Sequence, residues 1–192
     1  MAEVVEAKQV GVPIPNGGVP IFGVGEDLHH LNKGPDGAFA EFETVSGEGT
    51  GFQDAIRCRI AGELPEKAWY TQVSTQSKID LKEGDTVLIS FWARTIATKA
   101  EDGMGDFLLF FGVPAAKDTP EGEVVKETFM ERQKVGKAWK QFLLPRRVPA
   151  DYPAGSTRMN LDFGYARQTI DFAGIQVHRF TGKKPADLPT TE

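Results

Sequence analysis

Planar polar side chains and a tryptophan alternate with apolar residues along two predicted strands. Trp92 and Arg94 lie opposite the apolar side of one strand, and Asn160 and Asp162 hold the same kind of position on the other. The apolar C–H face of a sugar ring stacks on an indole, and its hydroxyl groups pair with planar side chains. If the strands are neighbours in one sheet, the pattern predicts a sugar-binding face. The alternative is that a loop covers Trp92 and that the charged side chains pair with one another.

Aromatic residues also stand where predicted strands meet loops. Trp69 and Tyr70 begin the predicted strand 69–75 and form either a platform at the rim of a site or a plug at a sheet edge. Tyr165 ends the predicted strand 157–165. Polar side chains beside an aromatic residue at a loop are typical of ligand contacts. The candidate ligand-binding residues at these two places are Trp69, Tyr70, Gln72, Tyr165, Arg167 and Gln168.

Catalytic chemistry has weaker support in the sequence. A glycosidase needs two carboxyl groups at a set separation, and the sequence offers Glu127 with Glu131, or Asp162 with Asp171. Charged residues of this kind more often form a solvated face. Cys58 lies between apolar positions of its strand and is predicted to be a buried small hydrophobe rather than a nucleophile. The residues therefore favour binding over catalysis.

Composition narrows the class of protein. With 192 residues and a net charge of −5, the chain is predicted to be one domain with no electrostatic affinity for nucleic acid or for an anionic membrane. No run approaches the roughly 20 apolar residues that a membrane helix needs. The 21 glycines and 12 prolines favour many turns and an all-β fold, and the single cysteine excludes an internal disulfide.

Short extended segments bounded by turn signals are typical of a sandwich or a barrel. The strongest is 86–96, in which one side holds Val87, Ile89, Phe91 and Ala93, and the other holds Leu88, Ser90, Trp92 and Arg94. Residues 124–135 fit a strand or a helix. The other predicted strands are 38–43, 54–60, 69–75, 106–112, 138–144, 157–165 and 169–180.

Two stretches are predicted to lie outside the strands. Residues 11–36 are rich in Gly, Pro and Asn and are predicted to be irregular loops. Residues 181–192 contain two prolines and no apolar periodicity, so they are predicted to be the stub of a linker that follows a module at 1–180. The first residues lack the profile of a secretory signal, which leaves open a cytosolic protein or a chain whose signal was removed.

Several of these segments resemble a known superfamily. Residues 81–94, LKEGDTVLISFWAR, are similar to the most recognisable stretch of the carbohydrate-binding modules of families 4, 9 and 22, and residues 161–177 are similar to their closing pair of strands. Further resemblance lies in residues 55–60, 66–73 and 139–142. The end of the chain resembles modules that precede a family 10 xylanase catalytic domain. The resemblance implies a galactose-binding-domain-like β-sandwich jelly roll.

The resemblance also implies a function. The chain would be a non-catalytic module that binds a β-linked plant polysaccharide, xylan first and β-glucan next, and that targets a tethered glycoside hydrolase to it. It would be a monomer within a secreted protein, with no nucleic acid and no membrane as partner. Trp69 matches a loop tryptophan that stacks on xylose in xylan-binding relatives. The alternatives are a small jelly-roll glycan hydrolase or lyase and a structural module without a functional cleft.

A structural calcium ion is a further implication of the resemblance. The superfamily often holds calcium through an aspartate in its closing motif, with oxygens from the N-terminal segment, and Asp171 matches that neighbourhood. Calcium is a hard cation that takes oxygen ligands, which suits an acidic chain. The motif commonly has consecutive aspartates, whereas Phe172 follows Asp171 here. Asp171 is therefore the candidate metal ligand, and the calcium would lie away from the sugar.

Overall fold

The computed structural model describes residues 11–22, 30–114 and 129–191, which form two antiparallel β-sheets. Over these ranges the helical elements are short 3-10 turns at Pro35–Gly37, Ala68–Tyr70 and Pro185–Asp187, and no helix is long and apolar enough to cross a membrane. The strands are β1 (Val19–Pro20), β2 (His30–Lys33), β3 (Glu41–Ser46), β4 (Asp54–Ile60), β5 (Thr71–Gln76), β6 (Thr86–Thr98), β7 (Gly105–Gly112), β8 (Phe129–Val135), β9 (Lys140–Arg147), β10 (Arg158–Asp162) and β11 (Gln168–Phe180).

The strands divide into two layers by pairing that is mostly long-range in sequence. The first sheet has the order β3-β4-β11-β6-β9, and β1 pairs with the far end of β11. The second sheet has the order β2-β5-β10-β7-β8. The long strands β6 and β11 form the centre of the first sheet, while β10 and β7 form the centre of the second. Strand order of this kind depends on tertiary packing and not on local turns.

The core lies between the two sheets because alternate residues of each strand point inward. Four phenylalanines from both layers meet at its centre. Phe91 stacks on Phe142 at 4.8 Å, and Phe107 of the second sheet packs edge-on against Phe172 of the first at 5.2 Å. Edge-to-face and offset contacts of this kind add to the free energy of apolar burial. This packing fixes which residues remain on the two outer faces.

The predicted all-β sandwich is confirmed. Residues 54–60 are a strand as predicted, and the burial of Cys58 at 0% exposure confirms its place in the core, where desolvation raises the pKa of its thiol well above the usual value. The sequence left residues 124–135 open between a strand and a helix. Residues 129–135 form the strand β8, and residues 115–128 lie outside the described ranges.

Two predictions about the ends of the chain need correction. Residues 11–36 are not all loop, since β1 and β2 lie within them and β2 pairs with β5. The predicted linker is folded onto the first sheet up to residue 191. Leu188 packs with Leu88 and Leu143 at 7% exposure, and Thr191 exchanges two hydrogen bonds with the backbone of Leu143. The prolines and the weak apolar periodicity of residues 181–191 therefore indicate irregular backbone, but this backbone is packed against the first sheet and is not a free linker.

Candidate ligand-binding face

The outer face of the second sheet, called the polar face below, presents two rows of side chains across five strands. Directly paired residues of antiparallel strands point to the same side, so the register defines each row. At ~4.8 Å between strands, the face is about 19 Å across. One row is His30, Ser74, Asn160, Phe110 and Met130, and the other is Asn32, Gln72, Asp162, Leu108 and Arg132.

The centre of the polar face holds amide groups with unused hydrogen-bonding capacity. The Ser74 hydroxyl donates to Oδ1 of Asn160 at 2.7 Å, so the half-buried Asn160 amide is held in place by its oxygen. Its amide nitrogen has no acceptor among the described residues. Beside it, Gln72 donates through Nε2 to the carbonyl of Trp69 at 2.6 Å, which leaves the Gln72 oxygen available. Planar donors and acceptors fixed by their neighbours are what paired sugar hydroxyl groups require.

Trp69 stands at one end of the polar face on a 3-10 turn. The turn leads directly into β5, and the indole is 49% exposed with the Lys67 ammonium 5.5 Å from the ring centre. Gly164 fits closely under the turn, because a Cβ there would meet Ala68 backbone at 2.5 Å, and its N–H donates to the Ala68 carbonyl. The turn is thereby tied to the β10–β11 loop. The turn therefore holds an exposed aromatic ring in a fixed position at this end of the polar face.

Tyr165 lies at the same end of the face, held by an arginine. The Arg132 guanidinium lies 4.2 Å from the centre of the tyrosine ring and makes two hydrogen bonds to Asp106, at 2.6 and 2.7 Å. Burial, followed by the negative charge of Asp162, raises the pKa of the Tyr165 hydroxyl, so the ring is neutral at ordinary pH. The cation above the ring and the bidentate ion pair fix the orientation of the ring.

Asp162 is the buried carboxyl group of the polar face. It is 5% exposed, and its Oδ1 atom has no hydrogen-bond partner among the described residues. Burial raises the pKa of Asp162 to about 7 because the charged form is desolvated. A buried oxygen without a partner costs free energy. Asp162 is thus a buried carboxyl group with incomplete hydrogen bonding, at the centre of the row that joins Gln72 to Arg132.

Trp92 and Arg94 lie on the opposite side of the molecule, on the outer face of the first sheet, called the covered face below. Trp92 is 9% exposed and packs with Ala55 and Ala173. Gly11 lies directly against its ring, where a Cβ would come within 2.4 Å, and its φ of +81° is one that glycine adopts readily. The condition under which Trp92, Arg94, Asn160 and Asp162 would share one face is not met, because β6 and β10 belong to different sheets.

Asp171 is fully buried on the covered face between two arginines. Arg57 donates to both carboxylate oxygens at 2.7 and 3.0 Å, and Arg94 donates to Oδ2 at 3.0 Å while its guanidinium lies 4.4 Å from the Trp139 ring. Two cations on one carboxylate do not fit a calcium ligand. Over the described ranges, no three His, Cys, Asp or Glu side chains form a metal-binding group. Calcium elsewhere in the chain stays a prediction.

The remaining predicted residues have three different positions. Tyr70 is half-buried on the Trp69 turn, and Arg167 is exposed in the β10–β11 loop. Gln168 is 3% exposed and bonds to backbone groups of Asp106 and Phe163, so it joins the two sheets instead of facing a ligand. The polar face and its rim thus include Trp69, Tyr70, Gln72, Asn160, Asp162 and Tyr165.

Comparison with known proteins gives a consistent answer at the level of the fold. No family model and no curated protein matches this sequence. Among solved structures, a family 4 carbohydrate-binding module superposes with a TM-score of 0.54 at 15% identity, over 79% of this chain and 85% of that one. The first module of BiXyn10A in its apo form superposes with a TM-score of 0.51 at 13% identity, over 84% and 95%.

The chain has the jelly-roll fold of carbohydrate-binding modules. An arabinose-bound family 51 α-L-arabinofuranosidase also contains the fold, with a TM-score of 0.56 at 15% identity, over 85% of this chain and 25% of that enzyme. The resemblance found in the sequence is confirmed for the fold. At identities of 13–15%, the likeness shows the fold alone.

The module fold separates the carboxyl groups that a glycosidase would pair. Asp162 is on the outer face of one sheet and Asp171 on the outer face of the other, so the two cannot face one cleft. Glu131 is paired with Arg146 at 2.6 Å, and Glu127 lies outside the described residues. The described part of the chain therefore gives no support to either predicted catalytic pair.

Sequence reasoning missed most of the polar face. Ser74 and Leu108 lie on β5 and β7, strands that the sequence predicted without assigning an inward or an outward side to their residues. Arg132 and Met130 lay in the segment left open between strand and helix, and Asn32 lay in the presumed loop. No local signal reports that these residues share a face with Asn160.

Proposed function

We propose that the polar face binds a glycan chain. The observation that carries the proposal is the alignment of anchored amides in two rows with two aromatic rings, Trp69 and Tyr165, at one end of the face. Aromatic rings supply stacking on the sugar C–H faces, and the amides supply orientation through hydroxyl groups. The fold likeness to carbohydrate-binding modules supports the same conclusion.

The binding is non-catalytic in this proposal. Each sugar ring gains one stacking contact and a few hydrogen bonds that replace bonds to water, so affinity per ring is small and several rings are needed. A module of this kind raises the local concentration of an attached enzyme on its substrate.

The finer assignment is xylan first and β-glucan next, with the module acting beside a glycoside hydrolase in a secreted protein. This assignment rests on the sequence resemblance to modules that precede family 10 xylanase domains. Trp69, which matches the loop tryptophan of xylan-binding relatives, occupies an exposed position at the rim of the polar face, which supports it.

Affinity electrophoresis through gels that contain xylan, β-glucan or mannan tests the proposal. We expect retardation by xylan, weaker retardation by β-glucan, and a decrease in both for Asn160→Ala. The matched control is Arg59→Ala, an exposed residue of β4 on the covered face, paired with Glu41 at 3.2 Å. Migration that none of the three polymers changes would refute glycan binding and would leave a structural module. Release of reducing sugar by the isolated chain would instead establish the enzyme alternative.

A further inference from the structure

A groove lies beyond the Tyr165 end of the polar face, called the end groove below. Three loops form it: β4–β5, β6–β7 and β10–β11. It encloses about 520 Å³ and shares Tyr165 and Asp106 with the Arg132 arrangement on the polar face. A chain on the polar face that runs past Tyr165 therefore enters the end groove. The lining residues are Glu63, Leu64, Lys99, Ala100, Asp106, Tyr165, Ala166 and Arg167.

Two cations stand opposite each other in the end groove. The Lys99 N–H donates to the Arg167 carbonyl at 2.9 Å, which extends the β6–β11 ladder one step beyond the pair Thr98 and Gln168. Like charges at directly opposed positions destabilise a sheet. Neither side chain has an ion-pair partner among the described residues, whereas six of the nine arginines, at positions 57, 59, 94, 132, 146 and 179, have one.

The carboxylates that line the end groove do not neutralise this pair. Asp106 is bound by Arg132 through two hydrogen bonds, so its charge is already balanced. Glu63 is exposed on the β4–β5 loop and forms no ion pair within the described ranges. Leu64, 42% exposed, together with Ala100 and Ala166 adds apolar surface beside the charges. The end groove thus combines apolar surface for a sugar ring with unpaired positive charge.

We propose that the end groove binds the carboxylate of a uronic acid substituent on the glycan whose backbone lies on the polar face. This inference rests on the proposed glycan binding and adds the class of side group that the module selects. A carboxylate placed between Arg167 and Lys99 forms charge-assisted hydrogen bonds and removes the repulsion between the two cations. A net charge of −5 disfavours a densely charged polyanion, so a sparsely substituted neutral backbone suits the chain better.

The test compares glucuronoxylan with the same polymer after chemical reduction of its carboxyl groups, by isothermal titration calorimetry at low salt. The unmodified protein is expected to bind the acidic polymer about threefold to tenfold more tightly. The double variant Lys99→Gln with Arg167→Gln is expected to bind both polymers equally and to keep its affinity for the reduced one. Glu63→Gln is expected to widen the difference, because a nearby negative charge is removed.

The matched control is Arg147→Gln. Arg147 is an exposed arginine without an ion pair among the described residues, and it pairs with Thr86 at the other end of β6, about 40 Å from the end groove. This variant should keep the preference for the acidic polymer. Equal binding of both polymers by the unmodified protein, or an undiminished preference in the double variant, overturns the inference while glycan binding stands. Failure to bind either polymer overturns glycan binding itself.

Competition identifies the source of the carboxylate. Free glucuronate in excess should narrow the difference between the two polymers, and acetate at the same concentration should not, since it lacks the sugar ring that Leu64 and Tyr165 contact in this proposal. Equal competition by acetate would mean a site for any small anion and would overturn the uronic acid assignment.

Discussion

The outer faces of the two sheets contain similar residue types with opposite consequences. On the covered face, the Asp171 carboxylate is fully satisfied by Arg57 and Arg94, and Trp92 is buried beneath Gly11. On the polar face, an oxygen of Asp162 has no partner among the described residues, and the rim tryptophan is half exposed. A face whose polar groups satisfy one another stabilises the fold, while a face that leaves them unsatisfied is available to a ligand.

The N-terminal residues explain much of this difference. The side-chain amide of Gln141 bonds both the N–H and the carbonyl of Val12 at 2.8 Å, which holds the chain across Trp92. The C-terminal segment covers another part of the same sheet through Leu188. The covered face is therefore built as an internal interface, and the predictions that follow distinguish it from the polar face.

Trp92→Ala should have the largest effect on stability. The indole is 9% exposed and fills the space between Ala55, Ala173 and Gly11, so its removal leaves a cavity. We expect a loss of about 3–5 kcal/mol in the free energy of unfolding, measured by urea denaturation, with no change in retardation by xylan. Loss of retardation in a variant of unchanged stability would place the sugar on the covered face.

Asp162→Asn should stabilise the protein above neutral pH. Because the pKa of Asp162 is raised to about 7, the native state binds more protons than the unfolded state between about pH 4 and 7, and stability falls as pH rises through that window. Asparagine does not titrate and so removes this loss. We expect the free energy of unfolding to rise by up to about 4 kcal/mol at pH 8 and to change little at pH 4. Urea denaturation at both pH values measures it.

Asp151→Asn is the matched control with the opposite sign. Asp151 is exposed, and the Glu83 N–H and the Lys82 ammonium lower the pKa of its carboxyl group. The ionised Asp151 carboxylate stabilises the folded protein at pH values above the pKa it has in the unfolded chain, and this stabilisation is lost as the pH falls. Asp151→Asn should therefore slightly lower the free energy of unfolding at pH 8. A gain at pH 8 in both variants would point to net charge and not to the burial of Asp162.

Asp171→Asn should cost about 2 kcal/mol, measured by thermal unfolding. The change leaves Arg57 and Arg94 without their shared counter-ion, but both guanidinium groups are partly exposed to water, which limits the cost. The same variant tests the calcium prediction. If Asp171 held calcium, EDTA would lower Tm in the unmodified protein and have less effect in the variant; with two arginines in place, we expect EDTA to act equally on both.

The all-β character of the fold was predictable because it is recorded in the local alternation of apolar and polar residues. Apolar residues alternate at Ile56, Cys58 and Ile60 of β4 and over residues 87–93 of β6, and an apolar side of this kind is buried in whichever sheet the strand joins. The same argument oriented Asn160 and Asp162 outward on β10 before any partner strand was known. Which side chains of a strand point inward and which point outward depends on that strand alone, so the sequence pattern predicts it.

The candidate site was predictable only in part because it depends on which strands become neighbours. The pattern placed Trp92 and Asn160 on outward faces but not on opposite sides of the molecule, since strand order is set by pairings such as β11 with β6. Nor did it show that Gly11, about 80 residues away, covers Trp92. Gln168 was predicted to contact a ligand, but its side-chain amide bonds to the backbone of Asp106 and Phe163 and joins the two sheets. Long-range packing decides these outcomes.

Trp69→Ala has a small effect in free energy and separates the two faces most directly. Loss of one stacking platform should weaken xylan binding about tenfold, or 1.4 kcal/mol, with little change in stability because the indole is 49% exposed. Ile96→Ala, which removes a side chain of similar exposure, 40%, from β6, is the control and should leave binding unchanged. Calorimetry with xylo-oligosaccharides measures both. If Trp69→Ala binds xylan as tightly as the unmodified protein does, Trp69 is not the stacking residue. The sugar would then stack on Tyr165, which is held by Arg132 and lines the end groove, and the end groove would be the centre of the site.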